Sequence, residues 1–89
     1  MKDFKEIVGK NLSELRKSKK LTQYELGEMF GYSDKAVSKW EQGSTLPDLE
    51  TLNKICQYYE VTIDYLTHEE NAEKQERARI NTRDVKAKN

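Results

Sequence analysis

Between Thr22 and Gly43 the chain starts and stops helices at intervals that leave room for only two brief helices in succession. Thr22-Gln23-Tyr24-Glu25 is a capping box: the threonine hydroxyl accepts from the amide of Glu25, whose carboxylate reaches back to the amide of Thr22. Leu26, Met29 and Phe30 give barely two turns of apolar stripe before Gly31, a residue suited to the positive φ of a helix C-terminus. Only Tyr32 separates that glycine from Ser33, a fresh N-cap followed by Asp34 in the first turn, where the helix dipole favours an anion. The next helix runs from about Asp34 to Gln42 and stops at Gly43.

The flanks read as helices too. Phe4, Ile7, Val8, Leu12 and Leu15 recur at three- and four-residue spacing behind Asp3 as N-cap, and KSKK at 17–20 places cations at that helix's C-terminal end. After the loop Gly43-Ser44-Thr45-Leu46-Pro47, Asp48 caps a helix from Leu49 to about Tyr59, with Leu49, Leu52, Ile55, Cys56 and Tyr59 on one face. Thr62 caps a last short helix around 63–67. With 89 residues, about a third of them apolar, the chain supports one modest core, and 36% charged residues with a single proline favour helices over a sandwich or barrel. The expectation is an all-α, compact five-helix domain over residues 1–67, in which helices two and three form a helix-turn-helix unit. Residues 68–89 hold only Ile80 and Val85 as sizeable apolar side chains, so they read as a charged tail, disordered or marginally helical.

Sixteen basic and sixteen acidic side chains cancel, so the total lacks the basic signature of a nucleic-acid binder. The charge is segregated instead. Residues 1–40 carry nine Lys/Arg against six Asp/Glu (net +3), residues 41–70 one against seven (net −6), and residues 71–89 six against three (net +3). Such a distribution lets one face attract a polyanion while another repels it, although solvated helix faces also produce blocks of like charge.

No apolar run approaches the roughly 18 residues of a membrane span, and MKDFKEIVGK lacks the apolar core of a secretory signal, so a soluble, cytoplasmic protein without a membrane partner is expected. Cys56, the single cysteine, lies on an apolar stripe and reads as a small buried hydrophobe. His68, the single histidine, has no ligand cluster at metal spacing. Without a phosphate-cradling glycine loop or a nucleophile beside its base, no enzymatic apparatus, cofactor or metal is expected.

On the third helix, Val37, Trp40 and Glu41 share an inward face, and Asp34, Lys35, Ser38, Lys39 and Gln42 turn outward. A rod of this diameter fits the B-DNA major groove, where lysine donates to guanine N7 and O6 and serine or glutamine bonds other base edges. An ordinary solvated face would have the same composition.

Gln23, Glu25, Leu26, Gly31, Ser33, Val37, Ser38, Trp40, Glu41, Gly43 and Pro47, set in LTQYELGEMFGYSDKAVSKWEQGSTLPDLETL, resemble the Cro and phage-repressor type of helix-turn-helix transcription regulator. The resemblance covers roughly residues 5–67 and includes the ending VTIDYL. It implies a sequence-specific regulator, expected to repress, that binds double-stranded DNA. By resemblance, Asp34, Lys35 and Lys39 touch base edges, and outward-turned Ser38 is counted with them, while Thr22, Gln23, Gln42, Ser44 and Thr45 contact phosphate, with Gln23 also steadying the reading side chains. Arg16 and Glu41 match a pair that holds the reading helix at its angle. Two positions depart from the pattern. Gly27 stands where the family more often has alanine, the small residue at which helices two and three cross; glycine keeps the close approach but implies a turn kept at lower stability by about 1 kcal/mol. Asp34 places an acid beside DNA, where it either serves the helix dipole or accepts from cytosine N4.

One module reads few base pairs, so a homodimer on a near-palindromic operator is expected, with half-sites about 34 Å (roughly 10 bp) apart or a multiple of that. The resemblance gives the pairing role to Val61, Ile63, Tyr65 and Leu66, which could equally be buried within one subunit. The alternatives are an antitoxin-like or adaptor protein whose tail engages a protein partner, or the DNA-binding end of a longer regulator.

Overall fold

Every helix begins on a side chain that closes its first turn. The computed structural model describes residues 3–69, and the tail assigned to 68–89 lies outside the described residues beyond Glu69. Asp3 caps α1 (Phe4–Ser18) in a capping box with Glu6, and Thr22 caps α2 (Gln23–Phe30) in a second box with Glu25. Ser33, Asp48 and Thr62 cap α3 (Asp34–Gln42), α4 (Leu49–Tyr59) and α5 (Ile63–Leu66). Among the described residues there are five helices and no strand, and none is long and apolar enough to cross a membrane.

Two of the stops are glycines, Gly31 and Gly43, each at φ +81°. Two more fall on residues for which the left-handed region costs more: Lys20 after α1 and Glu60 after α4, both at φ +58°. The cation-rich stretch after α1 thus ends in a turn that a lysine has to make.

The helices bury Val8, Leu12 and Leu15 of α1, Leu26 of α2, Val37 and Trp40 of α3, Ile55, Cys56 and Tyr59 of α4, and Leu66 of α5. Three residues that the spacing assigned to core stripes stand out in solvent: Phe4 at 54%, Met29 at 44% and Leu49 at 75% exposure. Phe4 and Leu49 are the first residues of their helices, where the stripe runs past its neighbours. In α2 the contact face is centred on Leu26, Gly27 and half-buried Phe30, which turns Met29 away.

Backbone approaches backbone at two glycines. A Cβ on Gly9 would collide with the carbonyl oxygen of Trp40 and lie 2.9 Å from that of Glu41, so α1 crosses the last turn of α3 with no side chain between them. A Cβ on Gly27 would collide with the carbonyl oxygen of Tyr32 and lie 3.2 Å from that of Ser33. The close approach expected at Gly27 is present, and what is corrected is the expectation that glycine keeps the turn at lower stability than alanine would. At this separation the turn has no room for a methyl group, and glycine is what lets it close.

Polar groups fasten the remaining seams. Tyr32 packs edge-on against Trp40, with ring centroids 4.9 Å apart, and its hydroxyl lies 3.1 Å from that of Thr51, so the turn before α3 is tied to α4. Asn11, 1% exposed, donates through Nδ2 to the carbonyls of Leu66 (2.8 Å) and His68 (3.1 Å), joining α1 to the end of α5.

Candidate nucleic-acid interface

The α3 helix has one side sunk in the core and one side in water. Val37 (0%) and Trp40 (4%) fix the inner side, and Asp34, Lys35, Lys39 and Gln42 are exposed on the outer one. Ser38 is half-buried at their edge, and its hydroxyl accepts from Gln42 Nε2 at 3.0 Å. The ridge is mixed in sign: two ammonium groups, one carboxylate in the first turn, and a serine and glutamine that occupy each other.

The residues assigned to phosphate fall at two helix ends. Thr22 and Gln23 open α2, and Gln42, Ser44 and Thr45 lie at and just beyond the end of α3. Thr22 spends its amide on Glu25 Oε1 (2.9 Å) and accepts the Glu25 amide on its hydroxyl oxygen (3.0 Å), which leaves the hydroxyl hydrogen to donate outward. The amides of Ser44 and Thr45 close the end of α3 onto the carbonyl of Lys39, at 2.9 and 3.4 Å, while both residues remain exposed.

The two ends are brought together by one carboxylate. Glu41 accepts from Arg16 Nε at 2.7 Å and Nη2 at 3.0 Å, and from Gln23 Nε2 at 3.1 Å. Arg16 Nη1 donates to the carbonyl of Leu21 at 2.7 Å, so one side chain of α1 holds both the segment entering α2 and the end of α3. Glu41 is 7% and Arg16 13% exposed, and the hydrogen bonds to Glu41 raise the Arg16 pKa further above its ordinary value. A shielded pair with its donors satisfied is weak evidence for stability but strong geometry for orientation, because bidentate guanidinium fixes the carboxylate plane. Gln23 Nε2 donates to Glu41 and not to an outward-facing side chain of α3.

Other singled-out residues lie elsewhere. Cys56 is buried in α4, and burial pushes its thiol pKa up, away from the thiolate that redox or metal chemistry needs. His68 lies beyond α5 with Nδ1 2.6 Å from the carbonyl oxygen of Asp64. Of the residues assigned to pairing, Leu66 is buried within this chain at 1% exposure, Val61 and Tyr65 are half-buried, and Ile63 is 38% exposed. Ile63 shares a groove with Leu49, Glu50 and Asn53.

The sequence reading missed Gly9, Asn11, Tyr32 and the bond from Gln23 to Glu41. A lone glycine inside a helical stripe signals close backbone approach, so Gly9 was detectable. Asn11 stands beside Leu12 at a position whose burial only the packing of α5 decides. Tyr32, sitting between a stop and a cap, carried no periodic signal.

Comparison with known proteins places the chain in company. The Helix-turn-helix family model matches residues 12–66. The "HTH-type transcriptional activator BcrR" of Enterococcus faecalis is 46% identical over 55 residues, covering 62% of this chain and 27% of that protein. The HTH-type transcriptional regulator YqaE of Bacillus subtilis is 40% identical over 68 residues, covering 76% of this chain and 59% of that one. The "Repressor protein C2" of Salmonella phage P22 is 34% identical over 61 residues, covering 68% of this chain and 28% of that one. The chain therefore spans less than two thirds of the length of each of these relatives. No solved structure matches it significantly.

Proposed function

Because the chain belongs to the helix-turn-helix family, of the Cro and phage-repressor type, we propose that it is a non-enzymatic, sequence-specific regulator that inserts α3 into the major groove of double-stranded DNA. The observation that carries this reading is the seating of α3. Its inner side is immobilised by Val37, Trp40 and the Glu41 network, and its outer side offers Asp34, Lys35 and Lys39 to solvent with no side-chain partner to displace among the described residues. Lysine there selects acceptor-rich guanine edges, and Asp34 selects against them in favour of cytosine N4. Thr22, Gln23, Gln42, Ser44 and Thr45 set register through phosphate, which positions without specifying.

Repression is the mode a compact domain supports most directly, since occupying an operator needs no further surface. Residues 1–67 form the DNA-binding unit, acting in the cytoplasm as a homodimer on a near-palindromic site. Exposed Ile63 beside Leu49 favours the α4 and α5 side for pairing, in place of Leu66, which the core of one chain already uses.

Selection of bound sequences from a random double-stranded pool, with the 89-residue chain at stated salt, tests the reading. The expected result is a two-fold site with half-sites about 34 Å or a multiple apart. No enrichment above non-specific binding would overturn it. Within the selected site, Asp34→Asn should change the preferred base at one position of each half-site, and an unchanged preference would assign Asp34 to the helix dipole alone.

A further inference from the structure

We infer that Glu41 is a positioning residue for the Gln23 side-chain amide, orienting its nitrogen so that one hydrogen is held inside the protein and the other is aimed at a DNA phosphate. The inference rests on the DNA-binding reading above and adds to it a part that a clamp on helix angle does not require.

The argument starts from the inventory of hydrogens. A primary amide carries two N–H donors on one side and an acceptor oxygen on the other. Gln23 Nε2 lies 3.1 Å from Glu41 Oε1, and Glu41 is 7% exposed with both oxygens already held by Arg16 at 2.7 and 3.0 Å. Its carboxylate is fixed before Gln23 meets it. A flipped Gln23 would set its carbonyl against that carboxylate, two acceptors face to face in a poorly hydrated place, so only one amide orientation satisfies the site.

Among the described residues Glu41 is the one partner of Gln23 Nε2, which leaves the second hydrogen to donate elsewhere, and Gln23 is the first residue of α2. It thus joins the outward hydroxyl of Thr22 at the same helix end, where the positive end of the dipole favours an anion. A phosphate oxygen there needs a donor, and Glu41 sets which end of the amide it meets.

Glu41→Gln separates this role from helix clamping. It keeps the volume and the oxygen that Arg16 Nε holds, and it places an NH2 where Oε1 met both Gln23 and Arg16 Nη2, so any loss of clamping has to be read from a contact elsewhere on α3. The Gln23 amide then flips to present its carbonyl inward, which removes the donor from its aimed position. Two measurements on the full chain test the inference. In DNA-free protein, one Gln23 side-chain amide proton should be shifted downfield by nuclear magnetic resonance and should lose that shift in Glu41→Gln. In operator binding at fixed salt, Gln23→Met should weaken affinity by about fivefold in the wild-type background and have no effect in the Glu41→Gln background. Lys39→Met, the comparison contact, should lose the same factor in both.

Additive losses for Gln23→Met and Glu41→Gln would overturn the inference, as would an unshifted Gln23 amide. Equal coupling of Lys39→Met to Glu41→Gln would also overturn it, because Glu41 would then act only on the angle of α3. A wild-type chain with no sequence preference would sink the DNA reading itself, whereas an additive cycle on a chain that binds sinks this inference alone.

Discussion

At Gly27 a single hydrogen decides whether the turn closes. Helix propensity alone favours alanine there by about 1 kcal/mol, but the methyl group would meet the carbonyl oxygens of Tyr32 and Ser33, which the backbone of the turn cannot easily move. Overpacking of this kind costs about 1–3 kcal/mol. Gly27→Ala should therefore lower the melting temperature by several degrees, a scale set by the roughly 4–8 °C per kcal/mol of a domain this size. An unchanged or higher melting temperature would show that the turn relaxes. The close approach at Gly27 was legible by resemblance, but its tightness was not, because a residue type shows what backbone angles are open to it and not how near another chain segment passes. Gly31 and Gly43 are the opposite case. Their roles follow from position alone, each ending a capped apolar stripe, and both adopt φ +81°.

The α3 helix depends on its neighbours for orientation more than on its own nine residues. Glu41→Ala should lower both thermal stability and DNA affinity. Removing the carboxylate leaves Arg16 and Gln23 without their acceptor, at a cost of about 1–3 kcal/mol once partial solvent access to Arg16 is allowed for. Unchanged melting in that variant would sink the clamping role. The α4 helix carries its own titratable element. Asp48 caps it through the amide and hydroxyl of Thr51, with the Tyr32 hydroxyl beyond, and these hydrogen bonds hold its carboxyl below the ordinary value. A carboxyl whose folded pKa is depressed contributes stability above its unfolded value, about 3.9, and loses it as pH falls further. Asp48→Asn keeps an acceptor oxygen without the titration, so its melting temperature should fall less steeply below about pH 4 than that of the wild type. Parallel acid limbs would contradict this. The element order, the five caps and the buried stripes of α1, α3 and α4 were legible in the sequence because caps and 3.6-residue periodicity are local. Helix-end residues such as Phe4 and Leu49 were misassigned because periodicity gives a face without saying where the neighbouring helix stops.

At the scale of the whole molecule, charge is balanced in sum and divided in place. The proposed phosphate contacts, Thr22, Gln23, Gln42, Ser44 and Thr45, are all neutral, and only Lys35 and Lys39 bring cations to the reading face. Counterion release follows the cations, at a slope near −0.9 for each phosphate neutralised. Even with both lysines counted against phosphate, the logarithm of operator affinity should fall with the logarithm of salt no more steeply than about −2 per protomer. A slope several times steeper would mean that lysines outside α3, such as those at 17, 19 and 20, also reach the backbone. The glycine crossings carry one more consequence. Because α1 rests on the main chain of Trp40 and Glu41, and α2 on that of Tyr32 and Ser33, the support beneath α3 is blind to whatever side chains its far side displays. Residues 34, 35 and 39 form an exchangeable face on a permanent mount. A lineage carrying this frame could change which operator it answers to by altering those positions, with no repair needed in its interior.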